Sequence, residues 1–303
     1  MSELNFTETN LDDVVQPFQI ETTGLRGRLV RLGGMLDEIL NRHAYPDPVA
    51  HMLGETVVLA GILASGLKYD GVFTLQTKGN GAISLMVADV TSDGGVRGYA
   101  RYDASKLPAD GSRDVRTLLG EGYLAFTVDQ GEHTERYQGI VELAGDNLAE
   151  CVTHYFRQSE QIKAGIKLAV GRRGGRWRAG GLMLQRLPDQ EAIVPASDQE
   201  DNWRRAMILM DSATEAEFLD PGLAPNGLLF RLFHEDGVRV YSPAELRADC
   251  RCSRDRVTNA LAAIPRDQIE ELLVDGAVEV ACEFCNTRYR FGEEDLDRLY
   301  VRH

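Results

Sequence analysis

The chain has 303 residues and a mass of 33.6 kDa, which suits two domains with a small appended module. Hydrophobic residues make up 43% and charged residues 26%, which excludes collagen-like, mucin-like and wholly disordered chains. Basic residues number 33 and acidic residues 47, a net charge of -14, which argues against a protein that grips duplex nucleic acid through a basic face.

The first residues, MSELNFTETNLDDVV, are acidic and lack an apolar core, so they do not read as a secretory signal. From residue 25 to about 190 the pattern is that of one α/β region. Residues Gly27 to Leu32 alternate apolar and basic side chains, as a half-buried strand does. A helix is predicted around Met35, Leu36, Ile39 and Leu40, and a second from Val49 to Leu67, deep in the core. Its uncharged apolar stretch, Thr56 to Leu67, is too short to cross a bilayer. Phe73, Leu75 and Thr77, then Ile83, Leu85 and Val87, keep a period of two across Asn80-Gly81, a strong hairpin signal. Leu124, Phe126 and Val128 repeat the pattern before a turn near Gly131 and a returning strand with Ile140 and Val141.

From Asn147 the period becomes helical, with Leu148, Cys151, Val152, Tyr155, Phe156 and Ser159 on one face. Cys151 is therefore expected as a small buried hydrophobe. Strands over Ile166–Val170 and Gly181–Leu187 flank the basic run from Arg172 to Arg178, whose glycines fit a solvated hairpin tip. Near Pro195 the character shifts. Ser197 and Glu200 have capping-box spacing, as do Ser242 and Glu245, and Trp203, Ala206, Met207 and Met210 form an apolar stripe between them.

The strongest chemical signal lies near the C-terminus: Cys250-x-Cys252, then 29 residues, then Cys282-x-x-Cys285. Two close thiol pairs separated by a loop can converge on one tetrahedral zinc ion, each sulfur at about 2.3 Å. Four cysteines complete the coordination shell, so a hydrolytic zinc enzyme is not expected. Two possibilities remain: a structural site, or one whose thiols themselves react. From Arg247 to His303 there are nine arginines and no lysine against twelve acidic residues, a net of -3, which disfavours a phosphate-gripping ribbon. Thiolates are also the form that peroxide attacks, and a neighbouring thiol can resolve the sulfenic acid as a disulfide. Oxidation would remove the ligands, and a module folded around its metal would unfold. Helices after Ser253 and over Ile269–Leu273, and a strand over Val278–Ala281, are expected around the pairs. The fold class is α+β: a mixed α/β domain with antiparallel hairpins (1–195), a helical linker (196–246) and a small zinc-binding domain (247–303).

This chain resembles the 33-kDa heat shock protein family, redox-regulated bacterial holdase chaperones. The cysteine pattern carries the likeness, with Arg26 to Leu32, Tyr45-Pro46, Gly98-Tyr99-Ala100, Tyr155-Phe156, Ser159-Glu160-Gln161 and Gly180 to Gln185. The resemblance implies a cytoplasmic protein, inactive when reduced with one zinc on Cys250, Cys252, Cys282 and Cys285. Oxidation would form disulfides Cys250–Cys252 and Cys282–Cys285, release zinc, unfold the C-terminal region and open the linker. Apolar surface would then hold unfolding client proteins without ATP, in a homodimer, with no role for nucleic acid or membrane. Trp203, Met207 and Met210 are expected on the linker surface masked in the reduced state. No Ser/His/Asp set stands out, the six histidines lack metal spacing, and Gly79-x-Gly81 is too little for a nucleotide site, so the expectation is not an enzyme. The alternative is a zinc-stapled interaction or nucleic-acid-binding protein with purely structural cysteines. A thiol oxidoreductase ranks below both, since Cys282–Cys285 lacks a thioredoxin-like βαβ setting.

Overall fold

The period-two stretches become two six-stranded sheets with a mostly apolar helix between them. The computed structural model describes residues 12–131, 137–186 and 196–300, with side chains over 199–299 in the last span. The chain forms two compact units, Met1–Ala248 and Asp249–His303. In the larger unit the first sheet contains β1 (Val14–Ile20), β2 (Arg26–Leu32), β8 (Lys163–Arg173), β9 (Arg176–Arg186), β10 (Val238–Val240) and β11 (Ala244–Glu245). Its order is β10-β1-β2-β9-β8, with β11 also on β1. The second sheet contains β3 (Val72–Gly79), β4 (Ile83–Thr91), β5 (Gly95–Tyr102), β6 (Gly122–Asp129), β7 (Tyr137–Glu142) and β12 (Arg247–Ala248), in the order β12-β5-β4-β3-β6-β7. The β12–β5 pair is parallel, and the pairs along the rest of both sheets are antiparallel.

Helix α1 (Gly34–Asn41) leads into α2 (Asp47–Ala64), which starts with Pro48 in the first turn, where a missing amide costs nothing. Fourteen of the eighteen residues of α2 are buried, because the helix packs on strands of both sheets. It is the one described helix long and apolar enough to cross a membrane, and its burial is that of a core helix. Between β5 and β6 lies α3 (Val115–Leu119), and α4 (Leu148–Gln158) follows β7, capped by Asn147, whose side chain accepts from the Glu150 amide. Cys151 on α4 is buried as expected, and burial raises its thiol pKa. The hairpin from β8 to β9 turns at Gly174 and Gly175, both with positive φ, as a two-residue loop requires. Arg172 lies over the Trp177 ring at 4.2 Å. Gly79 and Gly81 serve packing: a Cβ there would meet the Leu119 and Leu118 carbonyl oxygens at 2.1 and 2.6 Å.

Residues 196–233 cover the other face of the first sheet. Helices α5 (Ala196–Asp211), α6 (Glu215–Leu219) and α7 (Pro225–Phe233) pack Ala206, Met210, Phe218, Leu228, Leu232 and Phe233 against Phe18, Leu29, Leu182 and Leu184. With α2 on one face and α5–α7 on the other, β2 is not the half-buried strand its alternation predicts. Arg31 is fully buried: it donates to the Leu223 carbonyl at 2.8 Å and to the Asp220 carbonyl, with Asp12 at 3.8 Å. Arg178 donates to the Leu219 carbonyl at 2.9 Å and also pairs with Asp12. Two buried guanidiniums thus satisfy the carbonyls of the α6–α7 connection.

The second capping box is corrected. Ser242 to Glu245 does not start a helix: Val14 pairs with Glu245 and Val15 with Ala244, while the Leu246 amide donates to the Asp13 carbonyl at 2.7 Å. The open backbone groups of β1 satisfy this segment as a strand. The end of the 196–246 segment is therefore extended, through β10 and β11. A true capping box lies at Thr214 and Glu217. The Ser197 side chain lies outside the described residues, and Glu200 pairs with Lys163 and with Arg186 at 3.7 Å.

In the smaller unit, α8 (Arg254–Ala262), α9 (Arg266–Glu270) and α10 (Glu293–Tyr300) accompany the hairpin β13 (Ala277–Ala281) and β14 (Arg288–Gly292). Its buried apolar cluster is Leu261, Ile269, Val278, Phe291, Leu296 and Leu299.

Candidate metal centre

Two local structures present the four thiols. Cys250 and Cys252 lie on the extended stretch before α8, where Ser253 caps the helix by accepting from the Arg256 amide. Arg254 stacks on Phe291, 4.4 Å from the ring centroid, and its guanidinium meets Asp295 at 2.9 Å, fixing the start of α8 on the hairpin. The second pair sits in the turn between β13 and β14. There the Cys282 amide donates to the Thr287 carbonyl at 2.9 Å, and the Asn286 amide to the Cys282 carbonyl at 2.8 Å. Asn286 takes φ +59, a left-handed conformation that asparagine tolerates better than most residues.

These elements bring the four Sγ atoms within 4.8 Å of one another, all half-buried. Cys250 and Cys282 are 3.7 Å apart and Cys252 and Cys285 3.4 Å. A tetrahedron of sulfurs at about 2.3 Å from a central ion has edges of about 3.8 Å, so the spacing fits one four-coordinate soft metal ion. The donor set is all sulfur, as structural zinc prefers. Burial pushes the Cys250 thiol up to about 12, and adjacent thiols add to the rise. At Cys285 burial also raises the pKa, but hydrogen bonds from Thr287 and the neighbouring thiols outweigh it and leave the value at about 6. Cys252 is raised by burial, against a hydrogen bond from Tyr289.

Two neighbours of the sulfurs escaped the sequence reading. The Tyr289 hydroxyl donates to Cys252 Sγ at 3.1 Å, and Thr287 Oγ1 is hydrogen-bonded with Cys285 Sγ at 3.1 Å. Only the β13–β14 register, with Tyr289 opposite Val280, points that hydroxyl at a cysteine so distant in sequence. Partners of this kind orient ligands and tune their basicity.

The other predicted residues lie in the larger unit. On α5, Met210 is 1% exposed, and Trp203 and Met207 are half-buried against the same apolar cluster. A Cβ at Gly165 of β8 would lie 2.4 Å from Met207 Sδ, so the stripe rests directly on the strand backbone. Ile208 and Phe230 face outward instead.

The family model described as Hsp33 protein matches residues 13–292. The chain belongs to the Hsp33 family. Among similar proteins, the 33 kDa chaperonin of Caulobacter vibrioides (strain NA1000 / CB15N) is 41% identical over 289 residues, covering 92% of this chain and 95% of the relative. That of Azotobacter vinelandii is 41% identical over 292 residues, covering 95% of each. The crystal structure of the Thermotoga maritima 33 kDa chaperonin, described as a heat shock protein 33 homolog, superposes with a TM-score of 0.81 at 28% identity, over 96% of this chain and 98% of that one. The α+β architecture and the four-cysteine cluster are those expected for this family of chaperones. These Hsp33 relatives bear chaperonin names and no enzyme name.

Proposed function

We propose that this Hsp33 chain is a redox-regulated, ATP-independent holdase, switched by Cys250, Cys252, Cys282 and Cys285. The observation that carries the reading is the convergence of four sulfurs in a unit whose core is six apolar side chains. A unit this short has little apolar surface to bury, and a bound metal supplies folding energy of about 10 kcal/mol or more. Zinc, one per chain in the reduced state, would hold the four sulfurs as thiolates and staple β13–β14 to the start of α8.

The cysteines carry the switch. A thiolate attacks peroxide to give a sulfenic acid with loss of water, and a second thiol displaces another water to form a disulfide, a two-electron oxidation per pair. Each disulfide withdraws two of the four ligands. Pairing within Cys250–Cys252 and Cys282–Cys285 closes very short loops, which survive loss of the fold, whereas pairing across the two motifs depends on the fold. Zinc is then released and the C-terminal region (247–303) unfolds. The linker (196–246) runs directly into it: β12, at the start of that region, would leave β5, and β10 and β11 would then be free to peel from β1 and loosen the helices before them. Opening would bare Trp203, Met207 and Met210 and the sheet face beneath them, to which unfolding proteins bind.

Four arginines of the small unit pair with acids, among them Arg266 with Asp297 at 2.8 Å and Arg288 with Glu279 at 2.9 Å, which supports a protein that does not bind nucleic acid. The reading further includes cytoplasmic location, no membrane association, no enzymatic activity, and a homodimer when oxidised. The test is light scattering from a thermally unfolding client, with the chain either reduced and zinc-loaded or treated with peroxide under mild heat. Suppression by the treated form alone is expected, with peptide mapping giving the two disulfides. Equal suppression by both forms refutes the latch, and none by either leaves a purely structural zinc site.

A further inference from the structure

A second constellation lies in the larger unit, distant in sequence from the cysteines. Between the first sheet, the end of α2 and α4 is a cavity of about 350 Å³, in the size range of small-molecule sites. Its wall is mostly apolar, with Leu63, Phe73, Phe126, Val152 and Met183 among the lining side chains. Arg28 of β2 also lines it, and its guanidinium is an anomaly. Buried Arg31 and Arg178 both face the Asp12 carboxylate. Arg28 has no carboxylate partner among the described residues: it donates to the neutral Gln185 Oε1 at 2.9 Å, and its Nε is buried without a hydrogen bond. The guanidinium packs on Gly66 just beyond the end of α2, whose carbonyls offer only partial negative charge. Burial and the nearby charge of Arg26 both lower its pKa. A half-buried cation with no carboxylate in contact is costly, and an anion in the cavity relieves that cost.

We propose that the cavity binds a single-chain aliphatic carboxylate, with the head group on Arg28 and the tail along Leu63, Phe126, Val152 and Met183. The polarity of the site fixes the orientation. On another part of the wall Glu160 accepts from the Tyr137 and Tyr155 hydroxyls at 2.9 and 2.6 Å, so a carboxylate head group is repelled there and drawn to Arg28. The cavity volume suits one chain rather than a two-chain lipid. This site is independent of the cysteine switch and stands or falls separately.

The test is titration calorimetry of the reduced full chain with dodecanoate below its micelle concentration, alongside dodecanol and acetate. One dodecanoate per chain is expected, with no measurable acetate binding. Dodecanol on the native chain and dodecanoate on Arg28→Gln should each bind at least about ten-fold more weakly, the size of one charge-assisted hydrogen bond. Leu67, which lines the rim and is 43% exposed, provides a variant with little effect on folding: Leu67→Asp should also weaken dodecanoate about ten-fold or more with an unchanged melting temperature. No dodecanoate binding, equal binding of dodecanol, or equal binding to a folded Arg28→Gln overturns the proposal. If Arg28→Gln does not fold, dodecanol and Leu67→Asp decide it. Non-specific adhesion to a chaperone surface would take up dodecanol as readily and counts against the site.

Discussion

Replacing Phe233 with alanine should loosen the linker without touching a cysteine. Phe233 closes α7, is fully buried, and stacks on Phe18 of β1 with ring centroids 5.8 Å apart and planes at 21°. Removing such a side chain costs about 3–5 kcal/mol, including the cavity left behind. Phe18 belongs to the sheet and stays in place, so the loss falls on the attachment of α5–α7. At tenfold per about 1.4 kcal/mol, the population with these helices lifted rises roughly a hundred- to several-thousand-fold. Hydrogen exchange of the reduced, zinc-loaded variant should show this as faster exchange across 199–233, while the amides of α2 keep their protection. The same sample should suppress client aggregation before any oxidant is added. If 199–233 opens and the reduced variant still holds no client, exposure of this face is not what activates the protein. If α2 loses protection equally, the two cores do not open separately.

Three further outcomes follow from the geometry. A strong zinc chelator under reducing conditions should abolish exchange protection in 249–303 while leaving that of β3, β4 and β6 intact; retained protection in the small unit would mean its apolar cluster suffices. Tyr289→Phe removes the hydroxyl that donates to Cys252, making that sulfur more nucleophilic, and thiol loss to peroxide should accelerate about three-fold, measured by alkylation of quenched samples; an unchanged or slower rate excludes that influence. On α2, burial raises Glu55 to about 7 and lowers His51 to about 4. Glu55 favours the fold below about 4.5 and loses that contribution as pH rises through 7, whereas His51 favours it above about 6.5 and loses that as pH falls through 4. The two oppose each other between about 4.5 and 6.5, so His51→Gln should uncover a melting temperature that rises as pH falls from 7 to 4.5. A flat profile in that variant would refute the buried-carboxylate account.

The four-cysteine cluster was legible because close thiol pairs are written in local motifs, and so was the Asn80-Gly81 hairpin, where turn chemistry and alternation agree. The hidden parts rest on tertiary pairing. Strand β1 carries Pro17 in its middle, which argues against an interior strand, yet its neighbour on one side is divided into β10 and β11. Those segments and β12 are two or three residues long and show no periodicity, so Ser242 and Glu245 look like a cap until β1 is known to lie beside them. Arg31 read as a solvent-facing member of an alternating strand because the carbonyls it satisfies, at 220 and 223, come from far along the chain. The hydrogen bond from Tyr289 to Cys252 needed the hairpin register in the same way.

The short strands at the end of the larger unit have another consequence. Residues 238–248 close one border of each sheet: β10 and β11 cover β1, and β12 covers β5. Were this clasp to detach, two rows of backbone amides and carbonyls would lose their partners at once. Such rows are templates for any extended polypeptide, because main-chain hydrogen bonds ignore side-chain identity. A partly unfolded protein could then be held by its backbone as well as by its apolar residues, so capture would depend on how unfolded a chain is more than on which chain it is.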